Sequence, residues 1–334
     1  MTLNNTQYRL AARPVGIPKP SDWEQTHEPT PEAEDGQFRV QVDYLSLDPA
    51  MRSWMNAGRS YVPPVEIGEV MRAAGTGTVL DSRHPDFHAG DTVSGVFGAQ
   101  RYAVSDGKGV TKLDLSLAPA PVQLGTLGIS GITAYFGLLD IGRPEAGQTV
   151  VVSAAAGSVG TIVGQIAKIK GCKVIGIAGG AEKCRLLVEE LGFDAAIDYK
   201  NGDLRAELRE LAPKGVDVFF DNVGGEILEG VLARLARGAR IVISGAVSQY
   251  NSTGPGHGPA NYMNLLVSRA SMTGFVVFDY ASRYHEAVAE LAAWLESGQL
   301  QSREHVVEGG IEAFPETLNK LFTGENTGKL ILAL

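Results

Sequence analysis

The stretch Val150-Val-Val-Ser-Ala-Ala-Ala-Gly-Ser-Val-Gly-Thr-Ile-Val-Gly164 decides how this chain is read. A run of β-branched residues meets a cluster of small ones, and a helical pattern then begins. That order predicts strand, tight turn and helix. Ala155, Gly157 and Gly160 leave the turn bare enough for backbone to approach a ligand. Free N–H groups at a helix N-terminus suit a pyrophosphate. An A-x-G-x-x-G pattern gains meaning from its setting. Here it follows a strand and opens a helix, as a dinucleotide-binding turn requires. The same small residues also serve close helix–strand packing.

Outward from this turn the grammar is regular. Six strands are predicted at 150–154, 173–178, 195–198, 216–221, 240–244 and 271–277. Helical patterns separate them at 158–170, 181–191, 204–211, 226–236 and 261–269, and a long helix follows at 282–297. Gly171, Gly192, Gly215 and Gly238 stand where helix C-caps are expected. Strands alternating with helices imply a doubly wound parallel sheet. Before residue 121 the pattern differs. Short strands at 38–47, 71–80, 91–97 and 101–104 are punctuated by Gly and Pro, which predicts a small barrel or sandwich. The segment 14–23 is Pro-rich and reads as an ordered loop. Strand-like pieces return at 305–308 and 329–332, so the tail is expected to rejoin the first domain. The predicted division is 1–121 with 300–334, and 122–299.

Composition narrows the classes of function. The chain has 334 residues, 44% hydrophobic and 20% charged, which suits two ordinary globular cores. Its net charge of −9 argues against nucleic-acid or anionic-membrane partners. Two cysteines, Cys172 and Cys184, cannot build a disulfide framework. With no signal peptide visible, a cytoplasmic location is expected. No apolar run is long enough to span a bilayer.

The cofactor's identity turns on one missing acid. In NAD-binding sheets an acidic residue about 20 positions past the glycine turn holds the ribose 2′-hydroxyl. Here Gly179 and Gly180 occupy that place, and Glu182 is already on the next helix beside Lys183. A missing acid with a nearby cation favours a 2′-phosphate, hence NADP. Lys183 also reads as a solvated helix residue. Tyr199, after the next strand, has reach to the same phosphate. Asp221-Asn-Val-Gly-Gly-Glu226 and Ser244-Gly-Ala-Val-Ser-Gln-Tyr250 follow the fourth and fifth strands, on the rim where open sheets bind ligands. Both segments also suit plain turns.

Taken together, several stretches identify the chain as a member of a family. They are Arg13-Pro-Val-Gly-Ile-Pro18, Leu45-Ser-Leu-Asp-Pro-Ala-Met-Arg52, Gly131-Ile-Thr-Ala-Tyr-Phe-Gly137, Ala154-Ala-Ala-Gly-Ser-Val-Gly160, Asp221-Asn-Val-Gly-Gly225, Ser244-Gly-Ala-Val-Ser-Gln-Tyr-Asn251 and Glu325-Asn-Thr-Gly-Lys329. Their order and spacing resemble the medium-chain dehydrogenase/reductase superfamily. Within it, the chain is similar to the zinc-free NADPH-dependent branch of leukotriene B4 12-hydroxydehydrogenase, prostaglandin reductases, plant alkenal double-bond reductases and curcumin-reductase-like enzymes. The resemblance implies an α/β fold with a GroES-like β-barrel catalytic domain and a Rossmann domain. It implies that Gly157, Ser158, Val159 and Gly160 carry the pyrophosphate, and Lys183 and Tyr199 the 2′-phosphate. Asn222, the loop Ser244, Gly245, Ala246, Val247, Ser248, Gln249 and Tyr250, then Phe275, Val276, Val277 and Asn326, would line the rest of NADP. It further implies a homodimer joined by edge strands near 271–277. Relatives often carry Tyr where this chain has Ala50, which would widen the substrate pocket or remove one hydroxyl from it.

The superfamily's zinc enzymes use a first-domain Cys, a Gly-His-Glu segment and a Cys-rich lobe. No Cys precedes Cys172, and Ile67-Gly-Glu69 lacks the His. His84 and His88 are four apart, but Pro85 lies between them, so no metal site is expected. A zinc-free NADPH site suits a carbonyl-activated C=C bond, with hydride reaching the β-carbon of an enone or enal. Tyr250 is the candidate donor to the enolate, or an aromatic that only packs on substrate. Trp54, Tyr61, Val62, Pro63 and Pro64 read equally as substrate lining and as core or lid packing. His257, within the Gly/Pro segment 254–259, reads as a surface residue or an acid. Quinone reduction is a second enzymatic reading. A non-catalytic NADPH-binding protein, crystallin-like or RNA-binding, is a third.

Overall fold

The computed structural model describes residues 3–254 and 256–334. The backbone divides into two units, Met1–Leu124 with Glu304–Leu334, and Gly125–Arg303.

The first unit opens with β1 (Asn4–Leu10) and β2 (Trp23–Pro29), paired antiparallel. β1 does not follow from apolar alternation, because Asn5, Thr6 and Gln7 are polar yet buried, and β2 is polar and largely exposed after Trp23. Their burial is compensated in part by a small amide network, in which Asn5 Nδ2 and Gln7 Nε2 both donate to Gln100 Oε1 at 2.9 Å. Next come β3 (Phe38–Ser46), a short helix α1 (Ala50–Trp54), β4 (Ala74–Ser82), β5 (Thr92–Val96), β6 (Tyr102–Ser105), β7 (Thr111–Lys112) and α2 (Ala120–Leu124). The stretch 71–73, predicted as strand, precedes the ladder. In the loop 14–23, residues Pro20–Asp22 form a 3-10 turn and Trp23 already begins β2.

The second unit starts with α3 (Ile129–Phe136), which runs into a π-helical turn. The alternating elements follow: β8 (Thr149–Ser153), α4 (Ser158–Ile169), β9 (Lys173–Ala178), α5 (Ala181–Arg185), β10 (Ala195–Asp198), α6 (Leu204–Leu211), β11 (Val216–Asp221), α7 (Gly225–Leu232) and β12 (Leu235–Ile243). Then come α8 (Val247–Tyr250), α9 (Met263–Ser268), β13 (Ser271–Gly274) and α10 (Tyr284–Glu296). The six strands order as β10-β9-β8-β11-β12-β13, and every pairing is parallel. Numbered within the unit this is 3-2-1-4-5-6, the Rossmann order, and its direction reverses between β8 and β11. Val151, Ile175, Ile177, Phe219 and Ile241 are among the residues of a buried core here.

Several predicted boundaries move. The helix at 226–236 stops at Leu232, since β12 already begins at Leu235. Gly238 is therefore not a helix cap but a positive-φ break inside β12, where the pairing with β11 slips. Gly215 lies beyond the α6 cap, in the turn that enters β11. The helix at 181–191 changes to a π-helical turn over Leu186–Glu190. The last strand ends at Gly274 rather than at residue 277, and Val277–Arg283 is a 3-10 helix. A side chain on Gly137 would meet the Phe275 ring at 2.6 Å, so that ring packs inward as the chain leaves the ladder.

The tail contributes β14 (Glu304–Glu308), α11 (Phe314–Thr323) and β15 (Lys329–Ala333) to the first unit. Its large sheet runs β14-β15-β3-β4-β5-β7, with β6 paired to β3. Phe38, Phe87, Phe97, Phe314, Leu330 and Leu332 are part of its buried core.

Candidate functional site

The glycine turn after β8 is built for close approach. Gly157 caps α4, a 12-residue helix, and its N–H bonds the Ala154 carbonyl at 2.9 Å. Ala154 itself adopts a positive φ of 46°. A Cβ on Gly160 would lie 2.3 Å from the Ala154 carbonyl oxygen, so the helix passes over the turn only with glycine there. The Ser158 hydroxyl in the first helical turn is buried and has no hydrogen-bond partner among the described residues. An anionic oxygen over this helix start would find a donor there, together with the turn's N–H groups.

At the switch point a buried carboxylate organises the neighbouring loops. Ser153 Oγ donates to Asp221 Oδ1 at 2.7 Å and accepts the Asn222 N–H at 2.8 Å. Asn222 Nδ2 donates to the Ser153 carbonyl at 2.9 Å. The Asp221 carboxylate also accepts the N–H groups of Val223 and Gly224. Burial pushes this carboxyl up, and the bonds from Val223, Ser153 and Gly224 pull it part of the way back. The next loop hangs from the same turn: Ser244 and Gly245 N–H reach the Asp221 carbonyl at 2.9 and 3.2 Å, and Ser248 Oγ donates to Val223 O at 2.6 Å. The sequence reading passed over this pair, because a serine ending a strand and an aspartate opening a turn carry no distinctive spacing.

Beyond β9, a Cβ on Gly179 would lie 2.9 Å from Lys200 Cε and 3.1 Å from Tyr199 Cε1. Glycine thus leaves room for two polar side chains where an NAD-type acid would stand. Lys183 is half-buried in α5. Burial pushes its pKa down, and the Lys200 charge pushes it further. Two cations that repel each other near a strand end invite an anion. Lys200 was absent from the sequence reading; its signal was adjacency to Tyr199.

Tyr250 ends the one-turn helix α8. Its hydroxyl oxygen accepts the Ala246 N–H at 3.4 Å, and a Cβ on Gly245 would lie 3.2 Å from it. The phenol therefore folds back over its own loop, which ties to Asn222 through the Val247 N–H at 3.1 Å. Gln249 Nε2 donates to the His257 carbonyl at 3.2 Å, and His257 is exposed. Within that segment Pro255 lies outside the described residues. Glu229 of α7 holds the segment's end, accepting Ala260 N–H and Asn261 Nδ2 at 2.8 Å each.

The remaining candidates fall elsewhere. Val276 is extended and accepts the Asp279 N–H at 3.1 Å. Asn326 belongs to the first unit, in the turn between α11 and β15, where Nδ2 donates to Gly328 O at 3.1 Å. In the same unit, residues 54–65 form a closed loop: Val65 N–H bonds Trp54 O at 2.8 Å, and Arg72 stacks on Trp54 at 5.6 Å while bonding Pro63 O. Tyr61 is exposed on it. His84 Nδ1 accepts the Asp86 N–H at 3.1 Å, a turn contact. Among the described residues no group of three His, Cys, Asp or Glu side chains is placed to hold a metal ion, and no helix is long and apolar enough to cross a membrane.

A six-strand Rossmann sheet with a glycine-capped first helix, in a chain that also has a β-rich unit, defines a dinucleotide-dependent oxidoreductase. Family models agree: residues 6–113 match an N-terminal domain of oxidoreductase and residues 158–294 a model described as zinc-binding dehydrogenase. The chain is 42% identical over 333 residues to the NADPH-dependent curcumin reductase of Escherichia coli, covering 98% of this chain and 96% of that one. It is 39% identical to prostaglandin reductase 1 of Mus musculus, over 95% of each. A crystal structure of CurA from Vibrio vulnificus in complex with NADPH matches with a TM-score of 0.93 and 42% identity, covering 98% of each chain. The chain belongs to the zinc-free medium-chain dehydrogenase/reductase family that includes the curcumin and prostaglandin reductases.

Proposed function

We propose that this protein is an NADPH-dependent reductase of the C=C bond in α,β-unsaturated ketones and aldehydes. The full-length similarity to reductases named for enone substrates and for NADPH carries the reading. The Lys183, Tyr199 and Lys200 cluster around Gly179 supports the choice of NADP over NAD.

The residues present fit the cofactor. Gly157, Ser158, Val159 and Gly160 take the pyrophosphate, and the cation cluster takes the 2′-phosphate. Asn222 and the Ser244–Tyr250 loop line the ribose and nicotinamide, with Phe275, Val276, Val277 and Asn326 in the roles the family gives them. NADPH, when bound, supplies the hydride that reduces the β-carbon of the enone. Negative charge then gathers on the substrate's carbonyl oxygen. Tyr250 answers it by donating its phenolic O–H to that oxygen. The Ala246 N–H on its oxygen makes that phenol a better donor. A proton from solvent, directly or through Tyr250, then reaches the α-carbon and completes the saturated carbonyl. Phenylalanine at position 250 should lower kcat with an enone by about tenfold or more while leaving NADPH affinity intact. Unchanged turnover would remove Tyr250 from the donor role.

We also assign a homodimer to this chain. β13 is the sheet's edge and is exposed along its length. Next to it Leu266 and Val267 of α9 are 69% and 65% exposed, and Met272 and Phe278 are exposed as well. An unpaired edge beside apolar side chains suits a second copy placed antiparallel across a two-fold axis. With both cysteines free, the reducing cytoplasm is the setting this reading takes.

A further inference from the structure

The first unit buries a lysine that the proposed chemistry does not use. Lys329 is 2% exposed and ranks among the largest fully buried side chains. Its Nζ donates to Asp48 Oδ1 at 2.5 Å and to the Leu47 carbonyl at 3.2 Å. Asp48 Oδ2 accepts the Ser46 hydroxyl at 2.7 Å. Both oxygens of the carboxylate are therefore satisfied, and the partners lie 281 residues apart in sequence.

The position of this pair is informative. β15 runs antiparallel to β3 with Ile331 opposite Ser46, and Leu47 N–H still bonds Leu330 O at 3.1 Å. Continued past its last paired residues, the same register sets Lys329 opposite Asp48, so the pair stands just beyond the end of the ladder. Past it, one strand turns through Pro49 into α1, with Met51 N–H on the Asp48 carbonyl at 3.0 Å. The other comes from the turn that carries Asn326. These segments carry Ala50, where the family resemblance puts the substrate pocket, and Asn326, which it gives to the cofactor. An apolar pair would close the ladder's end without the cost of burying the lysine charge. The ion pair, whose carboxylate side chain is 34% exposed, instead favours one relative placement of the two turns.

We propose that Lys329 and Asp48 are positioning residues for the reaction, holding the Ala50 turn and the Asn326 turn in one fixed relation. The idea rests on the enone-reductase reading only in assigning those turns to the reacting groups. The test uses the full-length protein with Lys329→Met, and with Asp48→Asn, which keeps the side-chain shape should the first variant fail to fold. Hydrogen exchange of intact protein should quicken in peptides covering 48–56 and 325–328 and stay unchanged in the rest of the chain. With benzylideneacetone, kcat/KM should fall by about tenfold or more. The deuterium effect from labelled NADPH should grow as hydride transfer becomes limiting, and NADPH affinity should hold. A lower melting temperature with unchanged exchange in those peptides overturns the proposal. So does altered exchange with an unchanged isotope effect and KM, since the pair is then merely structural. If the wild-type protein leaves the enone untouched, the functional reading fails and the exchange pattern alone decides the positioning claim.

Discussion

Lys183 shows how one absence can carry a cofactor assignment. The acid that an NAD site needs is replaced by Gly179, and the structure puts Tyr199 and Lys200 against that glycine. Lys183→Ala should cut the preference for NADPH over NADH by about 10- to 100-fold, the worth of one charged hydrogen bond or two. Paired titrations of the two nucleotides, read by fluorescence, check this. Equal losses for both would remove Lys183 from the 2′-phosphate. At this scale the sequence is readable where a residue type departs from an expected pattern, as the glycine at position 179 does. It was silent where function rests on mutual geometry. Ser153 and Asp221 are ordinary residues until folding sets their side chains 2.7 Å apart. Lys200 drew no notice because a lysine next to a tyrosine in a loop usually faces solvent.

Elements were legible wherever apolar periodicity was strong. The six strands of the second unit overlap their predicted places, most clearly β8, β9 and β11, which are buried and rich in β-branched residues or phenylalanine. Failures came where burial and polarity part company. β1 carries buried Asn5, Thr6 and Gln7, so its alternation is hidden. The short helix α1 and the tail helix α11 also lay outside the reading; α11 is a 10-residue helix with three buried residues, Phe314, Thr317 and Leu318. β13 was drawn too long because Phe275-Val-Val277 looks like strand, while Phe275 is drawn to the space beside Gly137. The junction of β8 and α4 offers the sharpest test of an element. Gly160→Val has no room over Ala154 and should cost about 1–3 kcal/mol of stability, with loss of nucleotide binding. Urea unfolding with and without NADPH measures both. A variant as stable as the parent would mean the helix can lift off the turn freely.

For the molecule as a whole, the two units make different contributions to the account. The second supplies a six-strand Rossmann sheet and the glycine turn proposed to hold the phosphates, and the first supplies the Trp54–Val65 loop and the Asp48–Lys329 pair. The exposed edge at β13 gives the assembly its own prediction. Leu266→Asp with Met272→Asp should turn a dimer into a monomer by light scattering, and a persistent dimer would place the interface elsewhere. Which atom of the substrate is reduced can be read from one experiment. Benzylideneacetone is turned over with NADPH carrying deuterium at the transferable position, and the product is analysed by NMR. The account predicts the saturated ketone with deuterium on the β-carbon. An allylic alcohol with deuterium on the carbinol carbon, or no consumption of NADPH by this enone, would contradict it.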